Sequence, residues 1–262
     1  MKQRLFVFGC SYTGYSYPTW ADYVGVNFEK YYNYGMGGAS NTYMMNKFIE
    51  ANEKHKFNST TDTVIIMISG FGRFSYMTEN GWVSHGDLYS NIAVTKNPIL
   101  THFVKNMWSD QWAVYQSWIA IKIMKNLLVS NNINHKFLMG IDNRAYLQSI
   151  VNLSEPAKKF TNEIYEILDY KKSMDEWKLE SLENQDSPNW IEENRRDGHP
   201  SYIAHLKYAK EHLPEYITTK SQEIKEFWDD NFDYSSQHNQ GIKHFHFYRQ
   251  IYDLASKERM PF

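Results

Sequence analysis

Two short runs restrict the fold most. Leu5-Phe-Val-Phe8 and Thr63-Val-Ile-Ile-Met-Ile68 are apolar almost throughout, with no polar alternation. A strand that shows one face to water alternates in character, whereas a strand covered on both faces reads as a continuous run. The first run ends at Gly9; the second is rich in β-branched residues and follows a polar turn, Asn58 to Asp62, as a central strand should. Tyr31 to Tyr34 and Lys136-Phe-Leu-Met-Gly-Ile141 read as two more strands. Helical spacing of apolar residues runs from Asn41 to Asn52, through Tyr43, Met44, Phe48 and Ile49. It recurs from Gln111 to Ser130, through Trp112, Tyr115, Trp118, Ile119, Ile123 and Leu127. Strands alternating with helices predict an α/β fold, a three-layer α/β/α sandwich around a mainly parallel sheet of flavodoxin-like order. Ligands of such sheets bind outside the carboxyl ends of the strands.

The 262 residues suffice for one large domain or two small ones. The reading is an α/β domain over 1–210, with a long loop or lid at 75–110 that holds short helical pieces and an insertion at 143–196. A mostly helical extension, 211–262, packs on the same domain. Within these parts, Ser154 to Arg196 reads as polar and partly helical, and Ser201 to Asp230 as helices broken at Pro214. The last stretch mixes a possible strand, Lys243 to Tyr248, with a terminal helix. Lys plus Arg number 28 against 30 Asp plus Glu, a net charge of −2, so no basic field points to nucleic acid or to an anionic membrane.

A single cysteine, Cys10, excludes an internal disulfide and a cysteine-based zinc cage. The apolar stretch at the start, Leu5 to Phe8, is shorter than the roughly 7–15 residues of a secretory signal. No window approaches the ~18 apolar residues of a membrane span, and a cytoplasmic location is the expectation. Aromatic residues reach 16%, which fills cores and also suits stacking on sugars.

Three blocks hold the candidates for chemistry. Ser11, in Gly9-Cys10-Ser11-Tyr12-Thr13, directly follows the first strand, where a nucleophile would face the ligand crevice; its other reading is a helix cap. The second strand ends in Asn33-Tyr-Gly35-Met-Gly37-Gly38-Ala-Ser40-Asn41, whose glycines let a backbone N–H turn toward an oxyanion or simply serve a turn. The Walker spacing is absent, and so is the dinucleotide fingerprint. Far downstream, Asp197-Gly198-His199-Pro200-Ser201, followed by His205, offers a base with a carboxylate to orient it, or a surface histidine.

In this chain order the three blocks resemble the SGNH or GDSL hydrolase family of esterases and acyltransferases, over about residues 3–210. They look like a subgroup seen in phage and bacterial genomes. The resemblance implies Ser11 as nucleophile, with Cys10 where the family has Asp, and Ser11 and Gly38 as sources of oxyanion N–H groups. It implies His199 and Asp197 as the rest of a triad, at a spacing one residue shorter than the family's. The third block departs from the family: Ser69-Gly70-Phe71-Gly72-Arg73 lacks the Asn that supplies a third oxyanion donor. Arg73 could stand in as a cation or bind an anionic part of the substrate, or pair with a carboxylate and do neither; Asn41 is a second candidate donor or a helix cap.

His244 and His246 would share one face of a strand but lack a third metal ligand nearby, so packing is the reading. Neither metal nor cofactor is expected. The expected substrate is a small-molecule or polysaccharide ester, an O-acylated carbohydrate by preference. The rivals are a catalytically inactive binding protein of the same fold, and a nucleotide or phosphate binder using Gly35 to Asn41.

Overall fold

Strand β1 (Arg4–Gly9) lies at the centre of a five-stranded sheet whose inner residues are wholly enclosed. The computed structural model describes residues 4–15, 17–88, 96–144, 147, 154–167, 173–177, 199–231 and 258–259. On one side β1 pairs in parallel with β2 (Lys30–Gly35), and on the other with β3 (Asp62–Ile68), all seven of whose residues are buried. Two further strands, β4 (Arg73–Thr78) and β5 (Gly81–Asp87), form a separate antiparallel hairpin. Parallel pairing continues from β3 to β6 (Asn134–Met139) and from β2 to the two residues of β7 (Glu258–Arg259). The order β6-β3-β1-β2-β7 gives the first four sheet strands the expected flavodoxin-like arrangement. The fifth joins the opposite edge, beside β2, where a terminal helix was expected.

Parallel crossovers of this kind are right-handed. The step from β1 to β2 moves one way across the sheet and the step from β2 to β3 moves the other, so their helices lie on opposite faces. On one face α1 (Trp20–Gly25) packs with α6 (Tyr202–His212) and α7 (Thr219–Asn231). On the other, α2 (Asn41–His55) packs with α4 (Asp110–Ser130), which also meets α5 (Glu155–Ile167). Local signals agree with these starts: Ser40 and Ser109 accept from the N–H groups of Tyr43 and Trp112 as helix caps.

Much of the aromatic content is core. The register sets Phe6 beside Tyr32 and Phe8 beside Tyr34, and the paired rings stack at 4.7 and 5.0 Å. Phe48 and Phe57 close over them. Between β3 and α4 the expected loop differs from what is found. It contains the β4–β5 hairpin and α3 (Pro98–Asn106), which Asn97 caps. These strands are half-buried and mix polar with apolar residues, so they give no clean period. Beyond β6, Asp142, Arg144 and Glu176 form an ion-pair cluster. The possible strand Lys243 to Tyr248, with His244 and His246, lies outside the described residues. Among the described residues no helix is long and apolar enough to cross a membrane.

Candidate active site

The loop after β1 turns back tightly, with the N–H groups of Thr13 and Gly14 both donating to the carbonyl of Cys10. Only glycine fits at position 9, since a Cβ there would stand 1.9 Å from Oγ1 of Thr13. Ser11 is thereby lifted to the carboxyl end of the sheet, 5% exposed, while Cys10 points inward and is fully buried. The carbonyl of Thr13 accepts from Oγ1 of Thr19 and Nδ2 of Asn33, each at 2.8 Å, and Oδ1 of Asn33 accepts from the N–H of Gly35 at 2.8 Å. Asn33 therefore ties the Ser11 loop to the end of β2 through buried bonds. Each such bond is worth about 1 kcal/mol net and costs more when one partner is left unpaired.

His199 meets Ser11 across 188 positions of sequence, its Nε2 lying 2.8 Å from Oγ of Ser11. This is the range in which a base takes a hydroxyl proton. Three tyrosines hold the imidazole: Tyr15 stacks on it at 4.3 Å, Tyr12 meets it edge-on at 5.7 Å, and Tyr17 donates to the carbonyl of Pro200 at 2.5 Å. Sequence reasoning missed these rings, although their spacing in Tyr12-Thr-Gly-Tyr15-Ser-Tyr17 was a visible signal. Behind them His205 is buried, its Nδ1 without a hydrogen-bond partner, and burial followed by the nearby charge of His199 pushes its pKa down to about 3. His205 is therefore neutral near pH 7. Tyr12 donates to Oδ1 of Asp175 at 2.6 Å, and burial, then the Asp175 charge, raises its phenol well above the usual range. Asp197 lies outside the described residues.

Gly38 sits at φ +71°, a conformation natural to glycine, and a Cβ there would stand 3.0 Å from the backbone nitrogen of Gly86. Its carbonyl accepts from Oγ of Ser84 at 2.6 Å. Ser84 in turn meets Oγ of Ser75 at 2.9 Å, and Ser75 accepts from the N–H of Ser40 at 3.0 Å. A pair of hydroxyls on the hairpin thus clamps the second block from two sides.

Asn41 departs from both expectations. Ser40, not Asn41, caps α2, and the Asn41 amide is 1% exposed. Its Nδ2 donates to the Ser69 carbonyl at 3.2 Å and to Oγ of Ser117 at 3.1 Å, while Oδ1 accepts from the Ser69 N–H at 3.0 Å. Both amide hydrogens are committed inside the protein, so none remains for a substrate oxygen. Asn143, which sequence reasoning also missed, binds the same loop: its Nδ2 donates to the Ser69 carbonyl and its Oδ1 accepts from the Phe71 N–H. Arg73 opens β4 directly after this loop, and Nη1 of its guanidinium is enclosed without a hydrogen-bond partner. Among the described residues no group of three or more His, Cys, Asp or Glu is arranged to hold a metal ion.

No family model matches the chain, and no curated protein matches it. Among solved structures it is similar to a putative lipolytic protein of the G-D-S-L family from Desulfitobacterium hafniense DCB-2. That likeness has 13% identity and a TM-score of 0.43, over 82% of this chain and 99% of that one. It is also similar to a member of the lipolytic protein G-D-S-L family from Veillonella parvula DSM 2008, at 14% identity and a TM-score of 0.35, over 80% and 97% of the respective chains. At these scores the likeness carries nothing about the chemistry, which rests on this chain's own residues.

Proposed function

We propose that the protein is a serine hydrolase of carboxylic esters. The observation that carries the reading is the 2.8 Å contact between Nε2 of His199 and Oγ of Ser11 at the carboxyl end of a parallel sheet. Ser11 gives its proton to Nε2 as Oγ attacks the ester carbonyl. The carbonyl oxygen gains the negative charge, faced by the N–H groups of Ser11 and Gly38. When the oxyanion collapses, the carbon–oxygen bond to the alcohol breaks and His199 returns the proton to the leaving alkoxide. A water, or the hydroxyl of an acceptor, then gives a proton to His199 and attacks the acyl-serine carbonyl; as the carbon–Oγ bond breaks, His199 passes that proton to Oγ of Ser11, and an acid or a transferred ester is released. Asp197 is assigned by the resemblance to orient His199. With two oxyanion donors and no third, turnover on the order of 10²–10³ below a three-donor site is expected.

An O-acylated carbohydrate is the preferred substrate class. Supporting it are the Tyr76–His85 ring pair on the hairpin, stacked at 5.5 Å with Tyr76 exposed, and the exposed Trp112 at the start of α4. The test is intact-mass labelling with a fluorophosphonate, on wild type and on Ser11→Ala, His199→Ala and Cys10→Ala. One adduct on wild type and on Cys10→Ala, absent from the other two, is expected. Wild type free of adduct would turn the reading toward a binding protein of the same fold.

A further inference from the structure

Three arginines have described side chains, and two of them are closed by carboxylates in the same way. Arg4 donates through Nε and Nη2 to both oxygens of Asp62, at 2.7 and 2.6 Å. Arg144 does so to Asp142, at 2.9 and 2.7 Å, and reaches Glu176 as well. Arg73 has no such partner among the described residues. Its Nη1 is enclosed and unsatisfied, although the side chain as a whole is only half-buried. An enclosed guanidinium nitrogen without an acceptor costs free energy, so a half-buried guanidinium that no carboxylate closes marks a position for an acid that the fold does not supply.

The location narrows what that acid belongs to. Arg73 stands one turn beyond β3, its N–H donating to the Gly70 carbonyl at 3.3 Å. The loop between them is fixed by Asn41 and Asn143. The hairpin that Arg73 opens is bound to Gly38 through Ser84. From the other side, the positive charge of Arg73 acts on the phenol of Tyr12, the residue next to Ser11. Its cross-strand neighbour Asp87 lies over the backbone of Gly72, where Oδ2 stands 2.6 Å from the place a Cβ would take. A guanidinium fork matches a group with two or more oxygens, carboxylate or phosphate, better than the single oxygen of a tetrahedral intermediate.

We propose that Arg73 receives an oxyanion group, carboxylate or phosphate, that the substrate carries beside the ester bond, which makes the substrate class anionic esters. The proposal rests on the hydrolase reading only for the ligand being an ester; the anion site stands on the open guanidinium alone.

Two measurements keep the two apart. In the first, glutarate and inorganic phosphate are titrated at constant ionic strength into Ser11→Ala, and into the same protein carrying Arg73→Gln or Arg73→Lys, followed by calorimetry. Saturable binding of one anion to Ser11→Ala, weakened at least tenfold by Arg73→Gln and less by Arg73→Lys, is expected, and which anion binds identifies the group. No binding of either, or binding indifferent to Arg73→Gln, overturns the site. In the second, kcat/KM is compared for p-nitrophenyl hemiglutarate and the neutral p-nitrophenyl pentanoate. Wild type is expected to favour the anionic ester at least tenfold, and Arg73→Gln to bring the ratio near one. An unchanged ratio, with both esters slowed alike, would assign Arg73 to the reaction's own oxyanion and overturn the proposal. Absence of fluorophosphonate labelling together with intact anion binding would sink the hydrolase reading and leave the anion site standing.

Discussion

The two walls of the crevice are built by different means. On the wall formed by the β1 loop and His199 the polar groups are enclosed: Thr19, Asn33 and Ser11 are buried and bonded, the backbone of Thr13 is tied on both sides, and rings hold the imidazole on two sides. The wall formed by the β4–β5 hairpin is half-open, with Met77 at 54% exposure. Packing to crystal-like density fixes atoms to fractions of an ångström, as a proton transfer requires. An exposed hairpin can vary its side chains at small cost, as a surface that selects substrates requires. On the proposed reading the chemistry belongs to the first wall and selection to the second, with the Ser75–Ser84 pair joining them.

Breaking the first wall should have the larger effect. Asn33→Leu removes the bonds from Nδ2 to Thr13 and to the hydroxyl of Tyr31, and the bond from Gly35 N–H to Oδ1. A loss of about 2–4 kcal/mol in urea unfolding is expected, with labelling of Ser11 slowed, because buried groups are left unpaired. A loss below about 1 kcal/mol would show that the Thr13 turn holds without its tie to β2.

The same wall predicts a sensitivity to acid. His205 is packed against Tyr12 and Tyr17 and takes up a proton only near pH 3, whereas in the unfolded chain it does so near its ordinary 6.5. Between those values the unfolded state binds the proton and the folded state does not. Stability therefore falls as pH drops below about 6.5, by up to about 1.4 kcal/mol per pH unit from this group. Urea melts at pH 7, 6 and 5 should show a steeper fall for wild type than for His205→Leu; parallel curves would mean that His205 finds a solvated or paired state on protonation.

How much of this was legible follows the same division. The buried strands β1 and β3 announce themselves because enclosure on both faces demands an unbroken apolar run, and Ser11, Gly38 and His199 are tied to fixed backbone positions that leave a pattern in sequence. The hairpin left no such pattern, since half-buried strands tolerate either character at most positions; only Asn80-Gly81, with Gly81 at φ +109°, was a turn signal. Asn41 was misread because an amide beside a glycine-rich loop looks the same whether it faces ligand or core, and only its bonds to Ser69 and Ser117 decide.

The smallest expected effect tests the joint between the walls. Ser84→Ala removes the 2.6 Å bond to the Gly38 carbonyl, while Ser75 keeps its bond to the Ser40 N–H, so the hairpin stays anchored and the second block loses one of its two ties. One such bond is worth about 1 kcal/mol, or roughly 2–4 °C in Tm for a chain of this size. If the clamp only stabilises the fold, Tm drops and ester turnover does not. If it also aims the Gly38 N–H at the oxyanion, kcat falls about tenfold with KM held, because a donor turned aside acts on the transition state more than on bound ester. Ser84→Thr, which keeps the hydroxyl, should restore kcat. A kcat loss rescued in this way would move the face of the hairpin that carries Ser75 and Ser84 to the chemical wall and confine selection to the opposite face, at Tyr76 and His85.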